Sequence, residues 1–498
     1  MNNSTHIRLP LFFLLFNILL GALQATTPPA PKKSPNTPKA AGPVTFKSPL
    51  AQKFLVSQHL PGVNFPIQQS YAGRLNVPTN SKQTAELFFW MIPADDARGS
   101  KEITVWLNVD DACSSLVGAF QGTGPVSRCS HLMSSFATQI NVGFSRGNAT
   151  PKRSEDIAQL VFNFLTSFLK VFPELEASNL YLSSSYVPRE IVLTQSHKPS
   201  CRAWLCWSLC QLRCSHNLRP AIPVGSETTG NNRPRRSGSP DTDFISTSAI
   251  YQQHVPIAKY VTENNDVFKF DPAKLKKLQA NAMQCGYTEF LNKVCTNPAQ
   301  NLRYPPLAPF QNLTKMFKGS PPDLNLWNIR GKPELADFQY QKLVYPGRPD
   351  VQKAFNLAGS QKWASCATSP VFPYGETSDP PTLKALPNVI QNSKRTVIVN
   401  SQWDATVAPE GTKLGIQSGY RLVLLQSLSR GMNWSGKQGF QKPINRSFMV
   451  AGKQAGKYQS ERGLTYVEVA NAGSMMPRDD GQATLAIFEY LVGHRPAL

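Results

Sequence analysis

Two hydrophobic periods alternate along most of this chain. Glu86-Leu-Phe-Phe-Trp90 and Ile103-Thr-Val-Trp-Leu107 are β-branched and aromatic runs bounded by Pro, Asp and Gly, which predicts strands. Ile157, Leu160, Val161, Phe164, Phe168 and Phe172 recur at helical spacing behind Glu155 and Asp156, which predicts an amphipathic helix ending before Pro173. Residues 179–182 predict a short strand, residues 396–399 and 466–469 two more, each followed by a polar turn, and residues 482–492 a last helix. Strands alternating with helices favour an α/β fold with an open, mostly parallel sheet covered on both faces. In such sheets the chemistry sits at the carboxyl ends of the strands.

The first fifty residues carry neither period. Arg8 precedes an apolar run over residues 11–20, broken by Asn17 and followed by the small residues Gly21, Ala22 and Ala25. That order reads as a secretory signal peptide over residues 1–25, too short for a comfortable membrane span. Residues 26–50 are rich in proline from Pro28 to Pro49, with Lys32, Lys33 and Lys39, and read as an extended linker. The globular domain is then expected from Ala51 to the end, with no later membrane span. A secretory route makes Asn148, Asn312, Asn433 and Asn445, each in an Asn-x-Ser/Thr frame, candidate glycan acceptors. The expected destination is extracellular or vacuolar.

Composition narrows the function classes. With 498 residues, 41% of them hydrophobic, the chain is long and apolar enough for a large core, which excludes a wholly disordered protein. Lys and Arg number 52 against 31 Asp and Glu, a net charge of +21. The basic residues are dispersed, and no nucleic-acid motif or stacking module accompanies them, so no nucleic-acid partner is expected. Cys201, Cys206, Cys210 and Cys214 lie close together near His197 and His216, but Cys-x4-Cys-x3-Cys-x3-Cys is not a usual zinc spacing. Neither a metal nor a cofactor is expected.

Several short stretches together carry a resemblance. Ser70-Tyr-Ala-Gly-Arg-Leu75, Trp106-Leu-Asn108 with Cys113-Ser-Ser-Leu116, Gly143-Phe-Ser145, Cys285-Gly-Tyr287, Arg348-Pro-Asp-Val-Gln352, Trp363 with Cys366, Asp404, Trp434, and Ala472-Gly473 with Pro477 occur in that order. In this the chain resembles the fungal serine carboxypeptidases from residue 51 to the end. The resemblance implies an α/β-hydrolase fold with a mostly parallel central sheet flanked by helices and a cap insertion at about 245–340. It also implies serine-type hydrolysis of the C-terminal residue of peptides, with peptide or protein C-termini as partners and no cofactor. Cys113 and Cys366 match positions that the family joins by a disulfide, and Cys285 with Cys295 is a candidate pair for closing a cap-domain loop; Cys129 has no evident partner.

Acyl transfer from a peptide needs an activated hydroxyl, a base, an acid that orients the base, and an oxyanion hole. Each part is altered here. By the resemblance the nucleophile elbow should read Gly-Glu-Ser-Tyr-Ala-Gly, but the chain has Leu182-Ser-Ser-Ser-Tyr-Val-Pro188, which lays Ser185 on the nucleophile with the following Ala-Gly missing. Asp404, after the 396–399 strand, matches the acid. Ala472-Gly-Ser-Met-Met-Pro477 puts Ser474 where the family has its histidine. Serine cannot take up a proton near neutral pH, and His494 lies about twenty residues further on. Asn108 matches the residue that holds the substrate carboxylate, but Val109-Asp-Asp-Ala112 replaces the glycines expected after it, and the acidic partners expected at 122 and 184 are Gly122 and Ser184. The chain therefore reads as catalytically impaired, either a non-catalytic peptide-binding relative or a non-functional product. Residues 197–240 and 418–430 depart from the family altogether and read as non-homologous insertions, such as retained introns.

Overall fold

The computed structural model describes residues 46–79, 82–94, 99, 101–108, 114–120, 134–136, 143–152, 154–186, 190–195, 256–284, 288–289, 292, 324–331, 344–357, 362–365, 385–405, 408–417 and 432–498. The signal segment, the 197–240 and 418–430 stretches, Asn312 and all nine cysteines lie outside the described residues, so the disulfide expectations do too.

The strands are β1 Leu55–Val56, β2 Ser70–Asn76, β3 Ala85–Met91, β4 Glu102–Asn108, β5 Ser134–Phe136, β6 Arg146–Gly147, β7 Asn179–Tyr186, β8 Glu190–Gln195 and β9 Arg395–Ser401. After them come β10 Asn433–Trp434, β11 Lys437–Gln438, β12 Arg446–Val450, β13 Lys453–Glu461 and β14 Leu464–Val469. All but β10 and β11 form one sheet in the order β1-β2-β3-β5-β4-β7-β8-β9-β14-β13-β12, with β6 beside β3. Parallel pairing is confined to β5–β4–β7 and to β9–β14. The described sheet is thus more mixed than the strand–helix alternation implied.

The reason is local. Only residues 187–189 separate β7 from β8, and a parallel crossover needs about a dozen residues or more. The two strands therefore pair antiparallel, from Tyr186↔Glu190 to Tyr181↔Gln195, and β8 pairs antiparallel with β9 in turn.

Helix α1, Ser154–Val171, follows the periodicity of its sequence and stops ahead of Pro173. Its Leu160, Phe164, Leu165 and Phe168 pack on Leu87, Phe89, Ile103, Val105 and Leu180. The last helix of the chain, Gly481–Val492, is capped by Asp480, whose Oδ1 accepts the Ala483 N–H at 2.9 Å, and it ends at Gly493 with φ 88°. It packs with Tyr181, Val397, Val399 and Val467. Leu180 faces α1 while Tyr181 faces the C-terminal helix, and alternate strand residues point to opposite faces, so the two helices cover both sides of the sheet.

The packed chain begins earlier than Ala51. Phe46 is buried, with ring centroids 5.4 Å from Tyr71 and 5.2 Å from Phe172, and Pro49–Gln52 forms a helical turn. Pro49 sits at the start of that turn, where its missing N–H is no loss.

Three further helices frame the carboxyl end of β9: α2 Ile257–Glu263 and α3 Pro272–Gln284 from the expected cap region, and α5 Pro409–Gln417, with α4 Ala385–Asn392 leading into β9. Ile257, Tyr260 and Val261 of α2 pack with Phe268, Phe270, Ile329, Ala405 and Ala408 in a cluster of their own. No helix among the described residues is long and apolar enough to cross a membrane.

Candidate functional site

β9 and β14 lie side by side in parallel register, Ser401 opposite Val469. Both strands then turn, and the turns stay in contact: Gln402 donates its N–H to Val469 O at 2.9 Å and Trp403 to Ala472 O at 3.0 Å. Asp404 sits on the first turn, 3% exposed, and Ser474 on the second, half-buried. The structure therefore brings the expected acid and the expected base position to the same end of two neighbouring strands.

A strap over residues 324–331 fastens these turns. Ile329 donates to Trp403 O at 2.9 Å, Ala405 to Leu326 O at 2.9 Å, and Ser474 to Trp327 O at 2.7 Å. Asp479 finishes the second turn: its Oδ2 accepts the Gly473 N–H at 2.8 Å and the Asn328 Nδ2–H at 2.9 Å. Gly473 has no room for a side chain, since a Cβ there would lie 2.3 Å from Trp327 O. From α2, the Tyr260 hydroxyl donates to Gln402 O at 2.9 Å. Burial, and then the negative charges of Asp404 and Glu410, push that phenol well above its ordinary range, so it stays a donor. Sequence reasoning missed Tyr260, Asn328 and Asp479. None lies in a stretch whose spacing signals a site.

Asn108 ends β4, and in the parallel β4–β7 ladder its Cα partner is Ser185. The backbone of both residues is described; their side chains are not. Ser183, Ser184 and Ser185 lie within β7, which runs on to Tyr186 and returns as β8. From sequence, the strand is expected to end at residue 182, with Ser183 to Ser185 as ordinary loop serines or a truncated elbow; the strand is longer, and a hairpin follows it. Polar side chains obscured the strand, and its antiparallel partner supplies the hydrogen bonds that extend it. The 109–113 segment and residue 122 lie outside the described residues.

His494 is placed elsewhere. Its Nε2 is 3.4 Å from Glu102 Oε1, at the amino end of β4. Asn108 is at the other end of that strand, six residues and about 20 Å away. No group of three or more His, Cys, Asp or Glu residues able to hold a metal occurs among the described residues.

The sequence matches the serine carboxypeptidase family over residues 61–189 and 244–494, well over half the chain. This chain belongs to the serine carboxypeptidase family. The match leaves out residues 190–243. A probable serine carboxypeptidase of Arthroderma benhamiae is 26% identical over 93% of this chain and 92% of its own length. Serine-type carboxypeptidase F of Aspergillus niger is 25% identical over 89% of this chain and 87% of its own length. Among solved structures, a prohormone-processing carboxypeptidase of Saccharomyces cerevisiae superposes with a TM-score of 0.58 at 17% identity, covering 89% of this chain and 96% of that one. The likeness establishes the α/β-hydrolase fold for this carboxypeptidase-family chain.

Proposed function

We propose that this chain is a secretory-pathway member of the serine carboxypeptidase family that no longer cleaves peptide bonds. The observation that carries the reading is Ser474 on the turn beside Asp404. An alcohol there can neither accept the nucleophile's proton nor become a cation that Asp404 stabilises, and a triad stripped of its base loses nearly all of its contribution to rate. Ser185, as part of an antiparallel ladder, lacks the strained strand-to-helix turn that presents a nucleophile. The N-terminal segment supports entry into the secretory pathway. Asn108, kept at the carboxyl end of β4, leaves a peptide C-terminus as the ligand class for a non-catalytic remnant.

Labelling with a fluorophosphonate tests the reading. Purified full chain takes up no probe on Ser183, Ser184 or Ser185 and releases no residue from blocked dipeptides. Stoichiometric label on one serine together with dipeptide hydrolysis overturns it. The gap in the family match at 190–243 supports a second reading, in which the coding sequence is interrupted there and the protein is a non-functional product. Transcript sequence across that interval separates the two, since an abundant continuous message encoding it as written excludes the interruption.

A further inference from the structure

Glu468 stands next to last in β14, a strand buried along its whole length, and its side chain is 4% exposed. A carboxylate so placed is costly unless it is paired and hydrogen-bonded. Three groups meet it: Gln402 Nε2 at 3.0 Å, Lys413 Nζ at 3.0 Å and Lys457 Nζ at 3.1 Å. Lys413, on α5, also reaches Glu410 Oε1 at 3.2 Å. Glu410 in turn lies 3.5 Å from Lys259 Nζ on α2, and Lys259 lies 2.9 Å from Glu263 Oε1. The signs alternate through Glu263, Lys259, Glu410, Lys413, Glu468 and Lys457. One ion chain thus runs from α2 through α5 to β14 and β13.

Two of its members hold the turn that carries Asp404. Glu468 accepts from the side chain of Gln402, and α2, pinned by Lys259, supplies the Tyr260 hydroxyl to the Gln402 carbonyl. We propose that this ion chain is an acid-releasable latch that holds α2 and the 402–405 turn against the carboxyl ends of β9 and β14. The other ionisable groups around it are Tyr260 and Asp404, with Arg330 facing Tyr260.

The direction of the response follows from Glu410. Burial works to raise its pKa, but the charges of Lys413 and Lys259 outweigh burial and hold the carboxyl below its ordinary value of 4.5. A group with a depressed folded pKa stabilises the fold above its unfolded pKa and loses that contribution as pH falls through the folded value. The latch is therefore closed near neutral pH and opens in acid, as pH falls through a folded value below 4.5. Opening is concerted, because a neutral Glu410 leaves Lys259 and Lys413 with like charges and one fewer partner each.

Hydrogen–deuterium exchange with mass spectrometry on the full chain tests this, comparing the native sequence with Lys259→Ala and Glu410→Gln from about pH 6 to about pH 2, corrected for intrinsic exchange. At about pH 6 each variant speeds exchange in residues 257–263 and 402–405 roughly fivefold and leaves the β12–β13 hairpin unchanged. The gap between the native chain and Glu410→Gln closes on acidification. Unchanged exchange in both segments, uniform loosening of the whole domain, or a gap that persists in acid each overturns the latch. Lys259 is 40% exposed, so Lys259→Ala leaves the core intact and decides the matter even where Glu410→Gln does not fold.

Discussion

The backbone N–H of Trp403 donates to the carbonyl of Ala472 across 3.0 Å. One residue beyond the first is Asp404, and two beyond the second is Ser474, so these two residues lie on turns that touch. Backbone bonds and the 324–331 strap hold the two turns together without using the side chain at 474.

Ser474→His therefore folds with its stability changed by no more than about 0.5 kcal/mol, position 474 being half-buried with its N–H already bonded to Trp327 O. It gains no activity, since Ser185 remains within the β7–β8 ladder. Thermal melting and blocked-dipeptide hydrolysis check the two halves. Turnover above the uncatalysed rate from this one change contradicts the placement of the serines.

Asp479 is the acceptor for Gly473 N–H and Asn328 Nδ2–H, so Asp479→Ala strands two buried donors. The expected loss is about 1–3 kcal/mol. A fall in urea midpoint at constant slope reads it, and no change in midpoint rules out the role given to Asp479.

Gly473→Ala forces a methyl toward Trp327 O, a backbone atom with no rotamer to escape into. Destabilisation of about 1–3 kcal/mol is expected, along with faster amide exchange in the strap. Native-like exchange there would mean the strap and the turn are not in contact.

Phe46→Ala removes a ring packed against Tyr71 and Phe172 and costs about 3–5 kcal/mol by denaturant titration. Removal of residues 1–45 leaves Phe46 in place and the melting temperature unchanged. A Phe46→Ala variant as stable as the native chain would return the domain start to Ala51.

The pH dependence of stability follows Glu410. Its folded pKa is depressed, so its contribution is present above its ordinary 4.5 and lost as pH falls through the folded value. Glu410→Gln therefore melts below the native chain near neutral pH, and the two curves converge in strong acid. Parallel curves across the whole range count against the ion chain as a source of acid sensitivity.

Strands β3, β4, β9 and β14 and helix α1 were legible to within a few residues, because each writes its period into its own side chains. Asp404 was legible as the residue after an apolar strand. Ser183 to Ser185 were not legible as strand, since three hydroxyls in a row carry no alternation and the ladders that define them come from residues 106–108 and 191–193.

The sequence by itself determined the family, the order of its elements and the serine at 474, because these depend on residue identity and local spacing. Only the tertiary structure decided that a hairpin follows β7, that Leu326 to Ile329 bind two distant turns, and that Lys413 joins Glu410 to Glu468. The strap bonds and the Lys413–Glu468 pair join residues more than fifty positions apart, and such pairs leave no periodic trace in the chain that makes them.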